Sequence, residues 1–206
     1  MAEYHLTSPL TDEDVKKLKL GDTVYLSGEC FTCRSRLQKY IFDEGNVLPF
    51  DTKDRNILIH NGPIVVKENG KWRLVSFMPT SSIRFEKWGA KSVDEWNLKM
   101  IVGKTTMGKE TAEMMKRKKC VHVSPQCVSP NAWVENINIT DVELFDELGQ
   151  ISSAVVISAP DSREGYEEVD SLVYRPVAVV DSSLVGKNVF NVLPSKAKGD
   201  QADVNV

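Results

Sequence analysis

The chain has 206 residues, 41% hydrophobic and 27% charged, with a formal net charge of −3. That length suits one domain with a self-standing core, and the slightly acidic balance argues against a nucleic-acid binder working through a broad basic surface. No apolar run approaches the ~20 residues needed to span a bilayer, and the opening residues, MAEYHLTSPLTDEDV, have neither the basic nor the apolar segment of a secretory signal; a cytoplasmic, reducing setting is expected.

In chain order, Thr11-Asp12-Glu13-Asp14 forms a capping box opening a short helix with Val15 and Leu18 inward. Residues 23–27 (TVYLS) are β-branched and aromatic and predict a strand stopped at Gly28. From Arg34 the period changes: Leu37, Tyr40 and Ile41 predict a helix with Arg34 in its first turn and Gly45 at its end. Residues 56–60, 64–66 and 72–77 predict strands, the last two joined by a hairpin at Asn69-Gly70. Pro79-Thr80-Ser81-Ser82 breaks the pattern and offers hydroxyl caps for a helix to about Trp96. A short strand at 99–102, an amphipathic helix at 107–119, an extended run at 120–123 and a helix at 131–137 come next. Strands are expected at 142–145, 154–157 and 177–180, and a polar, loose tail from about Lys187. Interleaved strands and helices with antiparallel hairpin signals predict an α/β class with a mixed sheet, as one domain.

Four cysteines are present. Cys30 and Cys33 form one C-x-x-C, open to zinc, redox or plain burial, but Cys120 and Cys127 have the wrong spacing for a zinc ribbon. His5, His60 and His122 are scattered and expected to be structural; no metal ligands are expected. The stripe Met107, Met114, Met115 suits core packing or a subunit contact, and Trp88 and Trp96 are further candidates for a partner surface.

Three stretches share one design, a strand end, a small polar turn and a helix start: Thr32-Cys33-Arg34, Pro79-Thr80-Ser81-Ser82-Ile83-Arg84 and Val102-Gly103-Lys104-Thr105-Thr106. Ligands of α/β domains bind at the carboxyl ends of strands. Arg34, Arg84 and Lys104 converging there would suit a small polycarboxylate, with Thr80, Ser81 and Ser82 completing the hydrogen bonding; the alternative is ordinary solvated or paired cations. Gly103-Lys104-Thr105 mimics the end of a phosphate-binding P-loop but lacks its first glycine, since Leu98 stands there.

These stretches, with Leu20-Gly21-Asp22, Ser27-Gly28, Asn61-Gly62-Pro63-Ile64, Glu147-Leu148-Gly149 and Pro176-Val177-Ala178-Val179-Val180-Asp181, carry a family resemblance over about residues 10–185. The chain resembles the β subunit of L(+)-tartrate dehydratase and the C-terminal domain of class I (iron–sulfur) fumarase. That resemblance implies a swivelling β/β/α catalytic domain at 1–186, with 187–206 as a tail. It implies a hydro-lyase dehydrating malate or L-tartrate, as an α2β2-type heteromer. The [4Fe–4S] cluster would be held by the partner α subunit rather than by this chain. It further implies that Arg34, Arg84 and Lys104, with Ser81, hold a substrate carboxylate while Thr80 lies near the carbon that loses its proton.

The chain departs from the family pattern at four places, one of them Ser81, since the family's Pro-Thr-Thr-Ser reads Pro79-Thr80-Ser81-Ser82 here. An Asp and a His common after the first arginine are Ser35 and Gln38, a Gly-Gly is Thr105-Thr106, and a glycine-rich turn is replaced by 124–130 (SPQCVSP). These changes imply either a different 2-hydroxy acid or a homologue with weakened catalysis that acts as a dicarboxylate-binding or regulatory module.

Overall fold

The longest strand runs straight through the glycine at which the sequence predicts it to stop. In the computed structural model, which describes residues 2–125, 134, 137–159 and 173–178, with backbone alone at 159 and 173–178, β2 spans Thr23–Cys33. Gly28 takes a positive φ of 85° and still pairs with Ala159 of the neighbouring strand. A Cβ there would lie 3.0 Å from the backbone oxygen of Ser8, so glycine both supplies the left-handed turn and admits the neighbouring chain. The two halves of β2 consequently take different neighbours.

Before β2 lie β1 (Glu3–Thr7) and α1 (Asp12–Lys16). The capping box of α1 is formed: Thr11 Oγ1 accepts from the Asp14 amide and the Asp14 carboxylate accepts from the Thr11 amide. After β2 come α2 (Ser35–Phe42), β3 (Ile57–His60), the hairpin β4 (Ile64–Glu68) and β5 (Lys71–Ser76), and a 3₁₀ turn (Ser82–Phe85) running into α3 (Glu86–Glu95). The chain continues through β6 (Met100–Val102), α4 (Lys109–Lys118), β7 (Val121–Pro125), β8 (Asn138–Glu143), α5 (Phe145–Leu148), β9 (Ala154–Ala159) and β10 (Val173–Ala178). The hairpin turns at Asn69 and Gly70, with φ of 50° and 79°, the left-handed pair that an Asn-Gly hairpin requires.

The main sheet has the order β10-β7-β6-β3-β2-β9-β8, with β1 also on β2. Pairs β1–β2, β2–β3, β3–β6 and β6–β7 are parallel, and the pairs made by β8, β9 and β10 are antiparallel. Because β10 pairs with both β7 and β2, the circuit β2-β3-β6-β7-β10 closes on itself. The class is the mixed α/β one expected from the sequence.

Alternation along the strands sorts the core into two faces. Ile57, Ile59, Met100, Val102, Val155 and Ile157 pack with Val15, Leu18 and the hairpin residues Val65 and Leu74. Leu58, Ile101, Ala154 and Val156 face the helices through Leu37, Phe85, Val93 and Met115. Phe31, Leu37, Ile57 and Leu98 are fully buried, each contributing about 1.5–3 kcal/mol relative to exposure.

Several boundaries differ from expectation. Arg34 is the N-cap of α2, not a first-turn residue. The expected strand at 142–145 begins earlier and ends at Glu143, because Leu144 turns left-handed at φ 57° and Phe145 starts α5. Of the helix expected over 131–137, Val134 is helical and Ile137 is not, and the rest lies outside the described residues, as do the tail and 179–180.

Candidate functional site

The carboxyl ends of β2, β3 and β6 lie side by side, because Cys33 registers with His60 and Ile59 with Val102. The segments leaving these three strands are therefore brought into one row. Arg34 leaves β2; the Asn61 amide leaving β3 donates to Cys33 O at 3.2 Å. The segment 80–82 is stitched between β3 and β6: the Thr80 amide donates to His60 O at 2.7 Å, the Lys104 amide to Thr80 O at 2.9 Å, and the Ser82 amide to Lys104 O at 2.7 Å. Ser81 and Lys104 form a parallel bridge. Arg34, Thr80, Ser81 and Lys104 thus occupy one edge of the sheet, all half-buried. Arg84 stands two residues past Ser82 on the 3₁₀ turn and is exposed; no direct contact ties it to Arg34 or Lys104.

Two glycines make this row possible. Arg34 crosses over Gly62, where a Cβ would overlap Arg34 Cδ and Ile151 O. Gly103 lies against Ser82, where a Cβ would overlap Ser82 Oγ.

The electrostatics favour an anion. Among the described residues, Arg34, Arg84 and Lys104 have no carboxylate partner, a state they share with exposed cations such as Arg36 and Lys71 but not with Arg55, paired to Glu29 at 3.1 Å, or Lys99, paired to Asp12 at 2.7 Å. Lys104 Nζ lies 3.9 Å from the sulfur of Met78. Ser81 is the N-cap of the 3₁₀ turn, yet its side chain makes no capping bond. Neither it nor the Thr80 hydroxyl is engaged by another described residue. Unpaired cations beside free hydroxyls are suited to bind a carboxylate.

Ser82 behaves differently from its neighbours. Its hydroxyl lies 2.9 Å from His60 Nδ1 and 2.8 Å from His122 Nε2, and Ser82 is wholly buried. It is therefore not available to a ligand, contrary to the sequence expectation. His60 stacks on Phe85 with centroids 4.1 Å apart and planes at 10°. Burial lowers His122 to about 4; burial and then the nearby His122 hold His60 well below the ordinary imidazole range. Both rings are neutral at pH 7. No short sequence motif signals this cluster, whose members are 22 and 40 residues apart.

The N-terminus of α4 is already occupied. Glu86 accepts from the amides of Gly108 at 2.6 Å and Thr111 at 3.1 Å, so that helix end offers no anion site. The cysteines also have settled places. Cys30 packs on one face of the sheet and Cys33 on the other. Burial pushes the Cys30 thiol up to about 12 and those of Cys33 and Cys120 higher still. Cys30 and Cys33 face opposite ways, and among the described residues no three possible metal ligands come together, so a zinc site, a Cys30–Cys33 redox pair and cluster ligation do not fit; Cys127 lies outside the described residues. Trp96, Met107 and Met115 are buried core and Trp88 is half-buried, bonded to Asp43 at 2.9 Å. Among the described residues the exposed large apolar side chains are instead Ile64, Met78, Ile83 and Ile151, with Leu20, Val47 and Val75.

A groove of about 830 Å³ lies elsewhere, between the β4–β5 hairpin and α5, and includes Trp72, Asp141, Asp146 and Glu147. Its carboxylates make it unsuited to an acidic ligand. Two of the positions where the sequence departs from the pattern it resembles lie in α2: Ser35 is exposed, and buried Gln38 donates to Ser92 Oγ on α3 at 2.9 Å.

Comparison with known proteins gives a consistent result. The pattern of the family described as Fumarase C-terminus matches residues 1–156. The L(+)-tartrate dehydratase subunit beta of Escherichia coli K12 is 36% identical over 118 residues, 57% of this chain and 58% of that protein. The aligned segment thus spans little more than half the length of that relative. A protein of Methanocaldococcus jannaschii, provisionally named for the same subunit, is 33% identical over 181 residues, 81% of this chain and 92% of its own length. A protein of Geobacillus stearothermophilus, provisionally named class I fumarate hydratase, is 32% identical over 120 residues, 58% of this chain and 23% of that protein.

Proposed function

Because the chain belongs to the fumarase C-terminus family, we propose that it is the β subunit of an iron–sulfur hydro-lyase acting on a 2-hydroxydicarboxylate such as malate or L-tartrate. The observation that carries this is the row of unpaired cations and free hydroxyls at the ends of β2, β3 and β6. In the proposal Arg34, Arg84 and Lys104, with Ser81, hold the substrate carboxylate remote from the leaving hydroxyl. Dehydration removes a proton from the carbon beside that carboxylate and hydroxide from the next carbon, giving an alkene and water. Negative charge builds on the carboxylate during proton removal, and fixed cations stabilise it there more than in the resting substrate. Thr80, whose backbone is tied to both His60 and Lys104, presents its hydroxyl beside that carbon.

The three described thiols, buried and not brought together with other possible ligands, do not suit cluster binding. In the proposal the [4Fe–4S] cluster sits on a partner α subunit and supplies a Lewis acid for hydroxide departure. Exposed Ile64, Met78, Ile83 and Ile151 belong to the segments that carry or flank the site, which supports an apolar contact with that partner.

A second reading keeps binding and drops turnover: a dicarboxylate-binding or regulatory module. It is favoured by the use of Gln38 as a contact to α3 and by the exposure of Ser35, where the family pattern has a histidine and an acid. Calorimetric titration of malate into the chain and into Arg84→Ala tests what both readings share. Loss of a charge-assisted contact of about 1.5–3 kcal/mol corresponds to a roughly tenfold to hundredfold weaker Kd. Unchanged affinity in Arg84→Ala would remove that residue from the site.

A further inference from the structure

Ser82 is held from two separate strands at once. His60 closes β3 and His122 lies in β7, and their rings reach the same hydroxyl from positions 62 residues apart in sequence. One hydroxyl can donate one hydrogen bond and accept two, so it satisfies both rings either by accepting from both or by donating to one and accepting from the other. The outer nitrogens, His60 Nε2 and His122 Nδ1, have no partner among the described residues. Three buried polar groups are therefore committed to placing one oxygen atom. That oxygen sits against Gly103, where even a methyl group would collide with it. Phe85, in the same 3₁₀ turn as Ser82, stacks on the His60 ring and fixes its plane.

The turn so anchored begins with Thr80 and Ser81 and carries Arg84. We propose that Ser82, gripped by His60 and His122, is a positioning residue for the anion site, locking the turn from Thr80 to Arg84 onto the ends of β3 and β6. The backbone bonds along this seam fix where the main chain lies. The side-chain grip fixes how the turn rolls about it, and hence where the Thr80 hydroxyl and the Arg84 guanidinium point. An apolar residue at 82 would fill the space without setting that direction. The role rests on the dicarboxylate reading of the site, but the anchoring can be measured without any ligand.

The test uses the full chain with Ser82→Ala and two pairs of histidine variants. Asparagine at 60 keeps a polar atom near the place of Nδ1, and glutamine at 122 keeps one near Nε2; leucine at 60 and methionine at 122 do not. Amide hydrogen exchange is read at positions 82 and 104, whose amides close the seam, and at the strand amides of β3 and β6. Malate affinity is measured alongside. Ser82→Ala, His60→Leu and His122→Met are expected to speed exchange at 82 and 104 about tenfold, with the strand amides unchanged, and to weaken malate about tenfold. His60→Asn and His122→Gln are expected to stay within about threefold of the parent in both.

Equal acceleration of seam and strand amides would overturn the proposal, since the cluster would then add only to general stability. So would unchanged exchange in Ser82→Ala, or glutamine behaving like methionine at 122. Should Ser82→Ala not fold, the histidine pairs decide alone. If the parent chain binds neither malate nor tartrate, the dicarboxylate reading fails, while the exchange pattern still decides whether Ser82 anchors the turn.

Discussion

Mild acid should loosen this protein before its carboxylates titrate. His122 is fully buried, and burial lowers it from 6.5 to about 4. In the unfolded chain it takes a proton as the pH falls through 6.5; in the folded chain it does not until about 4. Between those values the unfolded state binds more protons, so stability falls as pH falls and is unaffected above the window. At 1.36 kcal/mol for each unit of pKa difference, the loss reaches about 2.5 kcal/mol at pH 4.5. Against the 5–15 kcal/mol typical of a domain, that is a large fraction. His60 is lowered in the same direction and adds to the loss. Glu143, raised by burial and by Asp141, works the other way, since protonating it in the folded state favours folding.

Comparison with His122→Gln cancels the contribution of Glu143 and the part of His60's that comes from burial, the larger cause of its lowering. Urea unfolding from pH 7 to 4.5 should show the parent losing about 2.5 kcal/mol more than the glutamine variant. Parallel curves would show that His122 is not the buried neutral ring described here.

Two substitutions test the seam itself. Gly103→Ala places a methyl on Ser82 Oγ and 3.3 Å from Thr80 O; overpacking of this kind costs about 1–3 kcal/mol. Denaturant unfolding should show that loss and calorimetry a weaker malate Kd, and a silent alanine would deny the close approach. Thr105 holds φ at 62°, a left-handed conformation that costs a side-chain-bearing residue about 1–2 kcal/mol. Thr105→Gly should gain about 0.5–1 kcal/mol after glycine's own entropic cost. A loss of stability would mean that the threonine side chain makes up for its strain.

The sequence was most legible where a local rule has a single structural answer. The capping box at Thr11 and Asp14 and the Asn69-Gly70 hairpin appear as read, because each is satisfied within a few residues. The strand ends carrying Arg34 and Lys104 were also legible, since a strand, a short polar turn and a helix recur there. Gly28 misled because its role depends on Ser8 and Ala159, far from it in sequence, which turn a strand breaker into a pivot. The strand at Val142 was misplaced because Leu144 adopts a left-handed conformation that its residue type does not signal. In sequence Ser82 is indistinguishable from its hydroxyl neighbours Thr80 and Ser81. Only the parallel registers of β3, β6 and β7 bring His60 and His122 to its oxygen, and no spacing in the sequence encodes that.

In the proposed function this chain supplies the carboxylate clamp of a hydro-lyase completed by a cluster-bearing partner. Its most direct test is anaerobic mixing with a cluster-loaded α subunit of the same family, followed spectroscopically with malate, fumarate and both tartrates. The predicted result is dehydratase or hydratase activity that neither chain shows alone and that Lys104→Ala abolishes. No turnover of any of the four compounds by the mixture would contradict it.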